Sequence, residues 1–269
     1  MVRKRVLPVL VVFATTVVVT GVLTAGVYAR GLAFTLGPVG ALVHVPALAV
    51  LMALASVALV RVKGLTRVEA GLQFEAGDLG AFARASTATV VGLVALVFAA
   101  GALSGHPLTR GANAVSPGLL LAAFVSFVGS SAVQQVTLQS FAIAASPHAR
   151  PSRGGVAFAV GMFVLAHVQV SHSPLYLANV ALFALASIAL FHGPRPSYAL
   201  PFGFHAGWNF AQVALLAAPT GAPDANPVAP WRWPQGASLL FGGAAGLDEG
   251  LLFTVAMMPV FAVALRRLR

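Results

Sequence analysis

The chain has 269 residues, 59% of them hydrophobic and only 8% charged, with a formal net charge of +10 and no cysteine. A mean hydropathy of +0.91 lies outside the range of soluble domains, and the missing cysteines exclude disulfide frameworks, thiol nucleophiles and Cys-based metal sites. The basic balance would suggest nucleic acid in a soluble protein, but its distribution along an apolar chain is that of a membrane topology signal, and no nucleic-acid partner is expected.

Apolar stretches close to the ~20 residues needed to cross a bilayer run from Leu7 to Ala29, Gly40 to Val60, Ala88 to Leu103 and Gly118 to Ala145. Four more run from Gly155 to Val170, Leu175 to Phe191, Ser197 to Ala218 and Gly246 to Leu265. The first follows Arg3, Lys4 and Arg5, but its length and the spans behind it make it a retained span rather than a signal peptide. With a cytoplasmic amino terminus and eight spans, the inside segments hold Arg3, Lys4, Arg5, Arg61, Lys63, Arg67, Arg84, Arg150, Arg153, Arg195, Arg266, Arg267 and Arg269. The outside segments hold only Arg30, Arg110 and Arg232. This bias supports both the span count and the orientation. The expectation is an all-α integral membrane protein of the cell inner membrane: one transmembrane domain over residues 1–269, a single bundle of about eight helices with both termini cytoplasmic.

Two connections are long. Arg61 to Arg84, with Glu69, Glu75 and Asp78, suits a short amphipathic helix at the interface. Pro219 to Pro234 is proline-rich and reads as an irregular loop with Trp231 and Trp233 at headgroup level. No internal repeat suggests a transporter built from two related halves.

Polar side chains inside spans are costly and are therefore the candidates for function. They are Gln134, Gln135, Thr137 and Gln139 in the fourth span, His167 and Gln169 in the fifth, Asn179 in the sixth, and His205, Asn209 and Gln212 in the seventh. His44 stands alone in the second. At about 1.5 Å per residue, Gln134, His167, His205 and Asn209 all fall about 12 to 18 Å from the inner boundary, so they can meet. His205 with Asn209, Gln135 with Gln139, and Phe163 with His167 each share a helical face. Gln212, Asn179, Gln169 and His44 read more simply as interhelical packing contacts, worth roughly 0.6 kcal/mol each. Asp248 and Glu249 read as helix N-terminal acids favoured by the macrodipole. No serine sits in a nucleophile elbow.

The order of these motifs resembles the CAAX-protease and bacteriocin-processing (CPBP) family of intramembrane proteases. Its pattern is EExxxR, then FxxxH, then HxxxN. Here Gln134, Gln135 and Gln139 occupy the first, Phe163 and His167 the second (FVLAH), and His205 and Asn209 the third (HAGWN). The resemblance covers residues 116–265, including GGAAGLDEGLLFTV at the last span. It implies an intramembrane endopeptidase acting on membrane-associated proteins or peptides, prenylated ones included. His167, with the first glutamate of the motif, would activate water, and His205 with Asn209 would stabilise the oxyanion. The family has been described both as metalloprotease-like and as glutamate-dependent, so the resemblance leaves zinc open. Two histidines without a carboxylate make an incomplete zinc site, and no cofactor is otherwise implied.

The departure is that all three charges of the first motif are amides. Glutamine has nearly the shape of glutamate but takes up no proton at neutral pH, so Gln134, at the catalytic glutamate position, cannot be a general base. If catalysis needs that base, the loss is on the order of 10²- to 10⁴-fold. Changing both members of an ion pair avoids stranding a buried charge, which costs roughly 3 to 5 kcal/mol, so the bundle keeps its fold while activity falls. The competing reading is a non-catalytic immunity or scaffold protein whose same polar cavity holds a peptide or lipid-linked partner without cutting it; membrane lipid is an expected partner in either reading. A small transporter or channel is disfavoured, because no acid–base pair lines a pathway.

Overall fold

The computed structural model describes residues 7–12, 14–15, 38–111, 116–147, 150–193, 195–219, 230–234 and 236–268. Most of the expected first span lies outside these residues, as do Arg30, Asp224 and the side chain of His44; residues 7–12 and 14–15 are helical. A backbone without water must satisfy its own hydrogen bonds, and the chain does so as helices. They are α1 (Pro38–Lys63), α2 (Ala76–Leu103), α3 (Pro117–Ala144), α4 (Arg153–His167), α5 (Pro174–Phe191), α6 (Ala199–Asn209) and α7 (Leu251–Leu268). Four of these hold segments long and apolar enough to cross a membrane: Pro46–Lys63 within α1, and all of α2, α3 and α5. The apolar helices α4 and Leu251–Ala264 of α7 are shorter.

Two expectations change. The segment before α2 forms no separate interfacial helix: residues 64–75 are non-helical, and α2 starts at Ala76, twelve residues ahead of the expected Ala88. Asp78 makes this start workable, since its carboxylate accepts from the Glu75 backbone N–H at 2.8 Å. Helix α4 ends at His167, which leaves Gln169 exposed in the following turn, outside the span assigned to it. Trp233 is 6% exposed and packs edge-on against Phe241. Beside it, β1 (Thr109–Arg110) and β2 (Trp231–Arg232) form an antiparallel pair that places Thr109 opposite Arg232 and Arg110 opposite Trp231. Strand residues this few give no periodic signal in a sequence. The pairing gathers Arg110 and Arg232, the two described members of the sparse basic set, at one end of the bundle.

At the other end, Arg195 donates to Asp78 at 2.7 Å and to the Gln73 carbonyl at 2.8 Å, fixing the segment that leads into α6. The Lys63 ammonium donates to the carbonyls of Ile143 (2.6 Å) and Ser146, closing the C-terminal end of α3 with the last residue of α1. Helix α3 packs on α1, α2 on α6, and α5 on α7, while α4 lies against α3 and α5.

The α2–α6 contact is the closest approach relevant to the site. Gly203 and Gly207 lie one turn apart, and a Cβ on Gly207 would sit 2.6 Å from the Ser86 carbonyl oxygen; one on Gly203 would collide with the Phe82 carbonyl. Two glycines at this spacing let helix backbones touch. His205, midway between them in sequence, is turned about 200° from Gly203 and so faces away from α2.

Gly207→Leu should therefore lower the thermal unfolding midpoint of the detergent-solubilised protein, at a cost of about 1–3 kcal/mol. Gly92→Ala, where a new Cβ meets nothing within 4 Å, should leave it nearly unchanged. A second prediction concerns His192, just past α5, whose Nε2 is buried with no hydrogen-bond partner among the described residues. Burial, aided by the Arg150 charge, lowers its pKa from 6.5 to about 4. The folded chain then stays neutral at His192 where the unfolded chain takes up a proton, so stability falls as pH drops from 6.5 towards 4. His192→Gln should reduce the loss of thermal stability between pH 7 and about pH 5 measured for the parent.

Candidate functional site

Helix α3 brings its glutamines inward along one face. Gln135 and Gln139 are both 0% exposed, and Gln139 Nε2 donates to Gln135 Oε1 at 3.4 Å, one turn away. Gln135 Nε2 reaches across to α5 and α6, 3.1 Å from Ser187 Oγ and 3.0 Å from His205 Nδ1. Gln139 Nε2 also donates to the Ser187 carbonyl at 3.3 Å. Three helices are thus joined by amides, a hydroxyl and an imidazole, without a formal charge. Gln134, one residue earlier, points elsewhere by about 100° of helix. It is half-buried and makes no hydrogen bond to the described residues.

His167 closes α4. Its Nδ1 lies 2.7 Å from the Phe163 carbonyl oxygen, an acceptor only, so Nδ1 carries the proton and Nε2 of the neutral ring keeps its lone pair. Phe163 also packs on the imidazole, with ring centres 4.4 Å apart, and lies parallel to Phe183 of α5 at 6.4 Å. Phe183 in turn meets His205 edge-on at 4.7 Å. His167, Phe163, Phe183 and His205 thus form a continuous run of ring contacts. Asn209 is half-buried and donates to Ser131 Oγ of α3 at 3.4 Å. The expected residues thus fall into linked groups: Gln135, Gln139 and His205; His167 and Phe163; and Asn209 with Ser131. No hydrogen bond joins Gln134 to His167.

A second polar network lies further along α6. The helix widens at Asn209 into a π-helical segment, Phe210–Leu215, of the kind that often marks a functional site. It presents Gln212, whose Nε2 donates to Asp248 Oδ2 at 3.2 Å. Trp208 Nε1 donates to Asp248 Oδ1 at 3.1 Å and to Gln212 Oε1 at 3.0 Å. Asn179 of α5 donates to the backbone carbonyls of Asp248 and Gly250, at 3.0 and 3.1 Å, and accepts from Thr254 at 2.9 Å. Glu249 accepts from Ser171 at 3.1 Å and from the Ala245 backbone N–H at 3.2 Å.

Asp248 and Glu249 thus do more than sit at a helix N-terminus. They lie in a 3₁₀ turn, Gly246–Glu249, ahead of α7, and Asp248 joins the helix that carries His205. Sequence reasoning missed this partnership because Trp208 and Asp248 lie 40 positions apart; the one available signal was Trp208 and Gln212 at helical spacing on the His205 side.

Chemically, the arrangement offers a free imidazole lone pair at His167 and polar donors on α3 and α6, while its carboxylate is occupied by Trp208 and Gln212. Among the described residues no group of three or more His, Cys, Asp or Glu side chains could hold a metal ion. A cavity of about 470 Å³ lies between α2, α6 and α7 and is apolar, with Leu93, Phe204, Trp208 and Val260 in its walls. Gln135, Gln139, His167, His205 and Asn209 do not line it. Comparison with family models, curated proteins and solved structures finds no match.

Asp248→Leu should strand the Gln212 amide, lowering stability by roughly 1–3 kcal/mol, and should shift Trp208 fluorescence. Asp248→Asn, which keeps one acceptor oxygen, should cost less than the leucine in the same thermal unfolding assay.

Proposed function

We propose that the chain is a CPBP-like intramembrane endopeptidase relative. In this reading it is an eight-span protein of the cell inner membrane, with both termini cytoplasmic, whose site receives a membrane-associated protein or peptide. The observation that carries the reading is the contact between Gln135 and His205, since it joins the helix of the first motif to the helix of the third through side chains the motif order selects. Gln135 and Gln139 hydrogen-bond where the family pattern has a glutamate and an arginine, consistent with paired neutralisation. His167 retains a free Nε2 for accepting a proton from water. Among the described residues no acid hydrogen-bonds to it, and turnover is then reduced on the order of 10²- to 10⁴-fold or lost.

A non-catalytic reading, in which the site captures a partner without cutting it, is favoured by one observation. The carboxylate joined to α6, Asp248, is already engaged by Trp208 and Gln212. The two readings separate on restoration. Gln134→Glu, Gln135→Glu and Gln139→Arg are combined and assayed for peptide cleavage in proteoliposomes beside the parent. The peptidase reading predicts that cleavage rises by at least about 10²-fold and is abolished by His167→Ala. Folded but inactive restored protein would contradict it and leave a binding role.

A further inference from the structure

We propose that Ser187, Gln139 and Gln135 form a one-way chain of hydrogen bonds that holds His205 with its proton on Nε2. In this chain His205 is then a fixed donor towards a neutral carbonyl oxygen rather than a group that exchanges protons.

The direction of the chain starts from a group that cannot reverse. The Ser187 backbone carbonyl only accepts, and the Gln139 side-chain amide lies 3.3 Å from it. Turning that amide over would set Oε1 against the carbonyl, two acceptors with no proton between them. Gln139 therefore presents Nε2. The same nitrogen lies 3.4 Å from the Gln135 amide, which must answer with Oε1, because two amide nitrogens would oppose donor to donor. Gln135 is then left with Nε2 towards Ser187 Oγ and His205 Nδ1, and its two hydrogens meet two acceptors at 3.1 and 3.0 Å. Nδ1 of His205 must supply a lone pair, so the neutral ring carries its proton on Nε2. That nitrogen has no hydrogen-bond partner among the described residues.

The unpartnered Gln139 Oε1 agrees with this polarity. It is buried without a donor among the described residues, the cost of committing Nε2 to both Ser187 and Gln135. Nothing in the chain depends on a charge. A carboxylate at position 135 would do the opposite: as an acceptor it would require Nδ1–H on His205 and free Nε2 as a base. The glutamine thus determines which ring nitrogen is available. The two histidines end in opposite states, His167 with an Nε2 lone pair set by the Phe163 carbonyl and His205 with Nε2–H set by Gln135. Gln135 and Gln139 are positioning residues that act through His205. A peptide or other amide carbonyl is the neutral acceptor that this donor fits. Naming a peptide rests on the function proposed above; the tautomer does not.

The test is nitrogen-15 NMR of histidine-labelled full-length protein in lipid nanodiscs near neutral pH, with His205→Gln used to identify the resonances. The expected result is unprotonated Nδ1 and protonated Nε2 at His205, with the reverse at His167. Gln135→Glu should move the His205 proton to Nδ1 or protonate both nitrogens, and Gln139→Met, which removes the group that orients Gln135, should give a mixture of tautomers. The His167 pattern should be unchanged in both variants. Nδ1–H at His205 in the parent would overturn the proposal, and the parent spectrum decides this even if a variant fails to fold. A Gln139→Met spectrum identical to the parent's would overturn the role of Gln139. The expected tautomer together with failure of the restored protein to cleave would refute the peptidase reading and leave the hydrogen-bond chain established.

Discussion

The contact between Gln135 and His205 is the constraint on which the centre of this bundle depends. In a low-dielectric interior each polar group must find a partner, and the partners here are spread over α3, α5 and α6. Individually such bonds are modest, roughly 0.6 kcal/mol. Their force lies in the alternative: moving α6 by one residue would leave the His205 imidazole without its partner and one Gln135 amide hydrogen unpaired. Gly203 and Gly207 support the same register from behind, because only glycine lets α6 lie against the carbonyls of Phe82 and Ser86. Backbone contact on one side and side-chain hydrogen bonds on the other fix the helix that carries His205, Trp208, Asn209 and Gln212.

The molecule separates its polar chemistry along that helix. Around His205 the groups are neutral; beyond Asn209 the carboxylate of Asp248 appears, held by Trp208 and Gln212. A protein that moved protons at His205 would benefit from an acid beside the imidazole, and this one places an amide there. The neutral centre avoids the several kcal/mol that an unpaired buried ion would cost, and it gives up the proton transfer that such an ion would have supplied.

Much of this was legible in residue spacing. Gln135 and Gln139 four apart, and Phe163 and His167 four apart, correctly announce pairs that touch in the structure. Helix bounds were close for α3 and α5, whose starts carry Pro117 and Pro174 as natural first-turn residues. Which glutamine meets His205 was not legible, because Gln134 and Gln135 differ by about 100° of helix and only the position of α6 decides between them. Phe183 was hidden for a similar reason: among many apolar residues of α5, nothing local marks the one that lies between two histidines. The GxxxG spacing of Gly203 and Gly207 is present in the sequence, but nothing local shows that the backbone of α2 lies against that face. The role of Asp248 was not legible because its partners, Trp208 and Gln212, are distant in sequence, and a helix N-terminus already favours an acid there.

The most direct test of this account is a double-mutant cycle between Gln135→Ala and His205→Ala, read as the unfolding free energy of the protein in a mild detergent or bicelle. The account predicts that the two losses are not additive and that the coupling is favourable, on the order of 0.6 to 1.7 kcal/mol. Losses that add to within about 0.3 kcal/mol would show that the two side chains do not meet, and the neutral three-helix junction at the centre of the bundle would be contradicted.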